Sequence, residues 1–181
     1  MPSHRYDDIV TLIASRQPVC GSTKVVAVDG PSGAGKTDLV AGLAAVTGAT
    51  VLHLDDIYPG WHGLAATPPM IAGVLGAIAV GEIGSVHRWS WVRDRPGPLL
   101  RVAPAPLLIL DGVGSGAGII RPHLSALLWL EAPAGVRKRR ALARDGDTYR
   151  PFWDVWAAQE SRHFAAEQTR RHADIVIQTD A

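Results

Sequence analysis

The octet Gly30-Pro31-Ser32-Gly33-Ala34-Gly35-Lys36-Thr37 carries the most specific chemistry in this chain. It follows the apolar, β-branched run Lys24–Asp29 and precedes residues 37–46, whose pattern predicts a helix ending near Gly48. A Gly-x4-Gly-Lys-Thr spacing between strand and helix suits an anion of the phosphate type. Its glycines let consecutive backbone N–H groups turn inward, and the helix N-terminus adds a partial positive charge. Lys36 is then expected to reach the β- and γ-phosphates of a nucleotide, and the Thr37 hydroxyl to ligate Mg²⁺. A glycine-rich turn that merely caps a helix is the plain alternative, and the flanking strand and helix favour the nucleotide. ATP with Mg²⁺ is the expected ligand pair.

Carboxylates follow two further apolar runs. Asp111 comes after Leu107-Leu108-Ile109-Leu110, the context of a carboxylate that holds Mg²⁺ directly or through water, although it could also cap a helix. Asp55 and Asp56 follow Val51-Leu52-His53-Leu54. Neighbours on an extended segment point to opposite sides, so one of the two is expected to face a phosphate-transfer centre. There it would orient a hydroxyl nucleophile and accept its proton. An acidic turn before Tyr58-Pro59-Gly60 is the competing reading.

Arg137, Arg140 and Arg144 lie at i, i+3 and i+7, on one face of a predicted helix, with Arg139 displaced from it. Guanidinium groups bind a phosphoryl in a two-pronged fashion and stay charged, so Arg140 and Arg144 are candidates to clamp a transferring group. For Arg137 and Arg139, a solvated helix face is an equal alternative. Trp153, Trp156 and Phe164 have the helical spacing of core residues. Trp89 and Trp91 alternate as strand residues do, with core packing or stacking on a nucleobase as the two readings of Trp91. The seven histidines show no metal-ligand spacing.

These groups must be placed by elements, and the pattern supplies them. Strands are predicted at Lys24–Asp29 and at residues 51–54, 107–110, 125–130 and 175–177, with a further short strand at 87–91. Helices are predicted at residues 6–16, 68–80, 133–144 and 152–171. Strands alternating with helices imply a mostly parallel sheet covered on both faces, with the ligand at the carboxyl ends of the strands. Asp29, Asp55 and Asp111 all fall at such ends. The expected fold is therefore α/β: a P-loop NTPase three-layer sandwich with a five-stranded, mostly parallel sheet and a short lid at about residues 144–151.

A length of 181 residues predicts one domain over residues 1–181, able to bury roughly 70% of its unfolded surface without a staple. Eighteen Lys+Arg against seventeen Asp+Glu leave a net charge of +1, which argues against a general nucleic-acid binder. The single Cys20 excludes an internal disulfide and multi-thiolate metal sites, and a reducing, cytoplasmic setting fits it. No apolar run reaches the ~18 residues of a membrane span. The opening MPSHRYDD lacks the layout of a signal peptide. The expected partners are a nucleotide and a small-molecule acceptor, with no nucleic acid and no membrane. The oligomeric state, a homodimer included, stays open.

Taken together these segments resemble the P-loop kinase group that includes uridine kinases, phosphoribulokinases and bacterial-type pantothenate kinases. VAVDGPSGAGKT resembles that group's strand and phosphate loop. LDDIY is similar to its Asp-x-Phe-Tyr element, which implies that Asp55 is the catalytic base and Tyr58 the family tyrosine. VRKRRALARDG is similar to the lid helix, and ADIVI to the last strand. Asp111 stands where the group usually writes glutamate, and Arg88-Trp89-Ser90-Trp91 lacks the acidic residue of the uridine kinases' Tyr-Asp-Phe segment. The resemblance implies ATP-dependent phosphoryl transfer to a hydroxyl, with a nucleoside such as uridine as one acceptor. Two other readings stand beside it. One is a nucleotide-binding regulatory or assembly module without an acceptor. The other is a nucleoside-monophosphate kinase, whose acceptor phosphate would need basic residues that Arg88 and Arg93 could supply. Asp56, Tyr58, Arg88 and Trp91 are the candidate substrate contacts. No Asn-Lys-x-Asp element of guanine-specific folds is present.

Overall fold

Runs rich in Val, Leu and Ile cannot face water on either side, and here they become the strands of one central sheet. These are β1 (Lys24–Asp29), β2 (Thr50–His53), β5 (Leu107–Asp111), β6 (Ala126–Glu131) and β7 (Ile175–Gln178), in the spatial order β2-β5-β1-β6-β7. Every pairing in this sheet is parallel. The computed structural model describes residues 3–179; Met1 and Pro2 of the N-terminal stretch, with Asp180 and Ala181, lie outside the described residues.

Helices cover both faces, and the core is correspondingly double. On one face, Val26, Val28, Ile109, Leu128 and Leu130 meet α1 (Ser3–Ser15) through Ile9 and Ile13, and α2 (Lys36–Thr47) through Leu39 and Leu43. On the other, Val25, Leu108 and Leu110 meet α3 (Thr67–Ala79) through Ile71, Leu75 and Ile78. Trp153 and Trp156 of α5 (Trp153–Glu167) join that second core. This is the three-layer P-loop NTPase sandwich, with the five expected strands in the sheet. Among the described residues, no helix is long and apolar enough to cross a membrane.

Three segments differ from the sequence expectation. Residues 84–102 form an antiparallel hairpin, β3 (Gly84–Ser90) with β4 (Arg95–Val102), instead of one short strand at 87–91. β4 reads as a loop in sequence because Pro96, Gly97 and Pro98 interrupt it and most of its residues are exposed. The helix α4 (Ala134–Tyr149) does not stop near Arg144; it continues past a kink at Gly146, where φ is 55° and ψ −132°. The long final helix breaks at Gln168, φ 51°, into α5 and the short α6 (Thr169–His172).

β1 ends against β6 so closely that a side chain has no room. A Cβ on Gly30, where φ is +135°, would lie 2.0 Å from the Leu130 carbonyl oxygen. Gly30→Ala must therefore push the first loop residue away from the sheet. We expect a loss of about 3 kcal/mol in unfolding free energy, measured by denaturant titration against the parent chain.

Candidate functional site

A cavity of about 850 Å³ opens at the carboxyl ends of β1, β2 and β5, at the edge where the sequence placed its carboxylates. Its floor is the loop that joins β1 to α2. The N-terminus of α2 has no side-chain cap, so its first N–H groups remain available to a bound anion. Lys36 is buried, and its ammonium donates to the carbonyls of Gly30 (2.6 Å) and Pro31 (3.1 Å). Pro31 and Ala34 shape the same loop, with Ala34 N donating to Pro31 O at 3.2 Å.

The loop is anchored from below by Asp29. This carboxylate has no solvent exposure and accepts hydrogen bonds from the backbone N–H groups of Gly30 (2.7 Å), Gly114 (3.0 Å) and Gly116 (2.9 Å). Burial pushes its pKa up, while those three N–H groups and nearby Lys36 pull the other way. The glycine-rich stretch 112–116, which carried no specific meaning in sequence, is thus the strap that holds Asp29.

Thr37 and Asp111 meet. The Thr37 hydroxyl donates to Asp111 Oδ2 at 3.1 Å, and His53 Nδ1 approaches the same oxygen at 2.9 Å. His53, which stands out by no spacing in the sequence, ends β2 directly beside the end of β5. Its signal lay in the register of two parallel strands, which a single sequence does not display. Among the described residues no three His, Cys, Asp or Glu side chains group to hold a metal. A hydroxyl and one carboxylate fit Mg²⁺ instead, which completes its shell with waters and phosphate oxygens.

Asp55 and Asp56 do not sit on an extended segment. They form a 3₁₀ turn, residues Leu54–Asp56, tied by the N–H groups of Ile57 and Tyr58 donating to Leu54 O. The turn sends the two carboxylates to different places. Asp55 lines the main cavity, open to its solvent yet recessed among protein atoms. Loss of hydration there raises its pKa; Lys36 and Arg144 oppose the rise, and Asp111 and Asp145 reinforce it. Asp56 instead faces Arg88 at 3.6 Å beside a separate cavity of about 270 Å³, so neither lines the main cavity. Arg93 is exposed in the turn between β3 and β4.

The arginines of α4 divide in the same way. Arg140 and Arg144 line the cavity. Arg140 donates to Thr179 Oγ1 at 3.2 Å, and Arg144 makes a forked pair with Asp145 at 2.8 and 2.7 Å. Arg137 turns from them to the phosphate loop, donating to Ser32 O at 3.1 Å, and Arg139 is exposed. The segment expected as a lid, about residues 144–151, is the kinked end of α4 leading into the 3₁₀ turn Arg150–Phe152. It brings Thr148 and Tyr149 to the cavity.

The same cavity is also walled by rings. Trp61 stacks on Phe152 (centroids 4.7 Å apart, planes 7°) and on Tyr149 (5.1 Å, 16°), and lies 4.7 Å from Trp91. Tyr58 packs edge-on against Trp156 at 4.8 Å, and its hydroxyl donates to Val113 O at 2.9 Å. Burial raises the pKa of Tyr58 and of Tyr149, keeping both phenols neutral. Trp91 lies beyond the end of β3, so it does not alternate with Trp89 on one strand; its indole N–H donates to Asp55 O at 2.9 Å. Trp156, expected in the core, is buried and lines the cavity as well. Trp61 and Tyr149 carried no periodic signal, since each sits in an irregular or kinked segment.

No family model and no curated protein matches the chain by sequence. Solved structures do match by shape. A structure described as a "Possible Uridine Kinase from Bacillus stearothermophilus" superposes with a TM-score of 0.67 at 17% identity, covering 96% of this chain and 97% of the other. The "putative fructose transport system kinase from Silicibacter sp. TM1040" gives a TM-score of 0.63 at 17% identity, over the same shares. At these identities the likeness establishes the P-loop fold.

Trp61 is the hub of the ring wall, and Gln159 of α5 holds its carbonyl at 2.7 Å. Trp61→Ala should destabilise the chain by about 3 kcal/mol in denaturant titration, because neighbouring rings cannot collapse into a volume that large.

Proposed function

We propose that this chain is an ATP-dependent kinase that transfers the γ-phosphoryl group to a hydroxyl of a small, ring-bearing metabolite, a nucleoside such as uridine being one candidate. The observation that carries this reading is one cavity lined by both phosphate-loop groups and rings. Lys36, Thr37 and Asp111, beside the uncapped helix terminus, share it with Tyr58, Trp61 and Trp91, and Asp55 lines the same space. A nucleoside-monophosphate kinase would draw on Arg88 and Arg93, and neither lines this cavity.

In this reading Gly30, Pro31, Ser32, Gly33, Ala34 and Gly35 form the cradle, and Lys36 brings a buried positive charge to the β- and γ-phosphates. Thr37 and Asp111 would hold magnesium, which when bound would neutralise phosphate charge. Asp55 accepts the acceptor's hydroxyl proton as that oxygen bonds to the γ-phosphorus and the bond from phosphorus to the β-phosphate oxygen breaks, releasing ADP. Arg140 and Arg144 face the same space and favour charge spread over the transferring oxygens. Tyr58, Trp61 and Trp91 exclude water and offer flat apolar contact to the acceptor's ring.

Turnover should be measured as ADP formation with Mg²⁺ across nucleosides, nucleoside monophosphates and other hydroxylated metabolites, each against a blank without acceptor. Turnover confined to neutral, ring-bearing alcohols is expected; turnover with no acceptor dependence overturns the reading. Asp55→Asn should lower kcat by about 10²–10⁴-fold while leaving ATP affinity nearly intact. Lys36→Ala should lose ATP binding in calorimetry.

The sign of the pH dependence follows from the raised pKa of Asp55. The base acts ionised, so kcat/KM should fall as pH drops through a value above 3.8, the ordinary aspartate value. An acid limb at or below 3.8 in the pH–rate profile would remove Asp55 from the role of base. The same shift acts on folding with the opposite sense. Between 3.8 and the raised value the folded chain binds more protons at this group, so its contribution to stability declines as pH rises.

A further inference from the structure

Every polar atom of Ser32, the third residue of the phosphate loop, is taken by a side chain from α4 or α5. Its N–H donates to Glu160 Oε1 at 2.8 Å. Its carbonyl accepts from Arg137 Nη1 at 3.1 Å. Its hydroxyl oxygen accepts from the indole N–H of Trp156 at 3.0 Å, and the same side chain is hydrogen-bonded to the Tyr149 phenol. Glu160 closes the group: buried in α5, it also accepts from the Trp156 indole at 2.9 Å and lies 3.9 Å from Arg137. The loop is pressed onto α4 as well, since a Cβ on Gly33 would lie 2.2 Å from the Arg137 carbonyl oxygen.

Two of the four partners, Tyr149 and Trp156, also line the cavity, as part of its ring wall. Tyr149 stands three residues past the Gly146 kink, on the far side from Arg140 and Arg144. Ser32 is therefore the point where phosphate loop, kinked helix and acceptor wall are joined. Packed groups of this type have discrete arrangements, so a shift at one end is felt at the other.

We infer that Glu160 is a positioning residue: through Ser32 and Trp156 it couples occupancy of the phosphate end of the cavity to the setting of the aromatic wall. The inference rests on the nucleotide-binding reading above. It requires that nucleotide binding alters the surroundings of the Trp156 indole, and, by linkage, that an acceptor packed on Trp156 alters nucleotide affinity equally.

The test uses MgADP as probe and the full chain. Calorimetry gives its Kd for the parent, Glu160→Ala, Glu160→Gln and Trp156→Phe, with tryptophan emission recorded over the same titration and thermal unfolding as the control for folding. Glu160→Ala should weaken MgADP by about tenfold, and Glu160→Gln, whose amide oxygen still accepts from Ser32 N–H and the indole, should recover to within about threefold of the parent. Trp156→Phe keeps a ring in the wall and removes the indole donor; it should still bind MgADP but lose most of the emission change. If Glu160→Ala does not fold, Trp156→Phe and Glu160→Gln decide. Parent-like affinity in folded Glu160→Ala, or an undiminished emission change in Trp156→Phe, overturns the coupling and leaves the kinase reading standing. Failure of the parent to bind MgADP overturns both.

Discussion

A carboxylate without water must find its hydration in the protein, and Asp29 finds it in three backbone N–H groups. Two of them belong to Gly114 and Gly116, more than eighty positions away in the chain, so satisfying one buried charge ties the end of β1 to the strap after β5. Breaking any of these bonds would leave a buried acceptor or donor unpaired, a larger loss than the bond's own net worth. The tie holds the phosphate loop and Asp111 in one frame. Val113, inside the strap, also accepts from Tyr58, so the ring wall is referenced to the same point.

Around that frame the cavity separates its charges. Lys36, Thr37, Asp111 and His53 gather at the loop, where the fields of an ammonium, a carboxylate and a helix terminus overlap. Arg144, which lines the same cavity, is paired with Asp145, and the phenols of Tyr58 and Tyr149 stay protonated. Asp55 shares the space with both groups, which is why its pKa carries opposing contributions from Lys36, Arg144, Asp111 and Asp145.

α4 and α5 supply what the sheet cannot. The sheet's strand ends can carry carboxylates and a loop, but they have no broad apolar surface left, since both faces are spent on the core. Rings must come from segments that cross over the strand ends: the turn at Trp61, the hairpin tip at Trp91, and the kinked helices with Tyr149 and Trp156. These segments lean on one another, Trp61 between Tyr149, Phe152 and Trp91. Their mutual stacking gives an irregular region the rigidity that backbone hydrogen bonding gives a strand.

The phosphate loop, the five core strands and the three strand-end carboxylates were legible in the sequence, because each is a local matter. Gly-x4-Gly-Lys-Thr works through the backbone of eight consecutive residues, and a strand buried on both faces has to be apolar at every position. The hairpin was half legible, since Pro96, Gly97 and Pro98 mask β4 as a loop. What sequence could not decide is where neighbours diverge. A 3₁₀ turn sends Asp55 into the cavity and Asp56 to Arg88, and the tilt of α4 sends Arg140 and Arg144 one way and Arg137 another. His53, Trp61, Tyr149 and Glu160 gain their roles only from partners distant in sequence, through strand register, ring stacking and a buried hydrogen-bond cluster. Local chemistry determined that there is a phosphate-binding edge; the packing of α4, α5 and the hairpin across that edge decided what else it can hold, because contacts between distant segments exist only once the chain has folded.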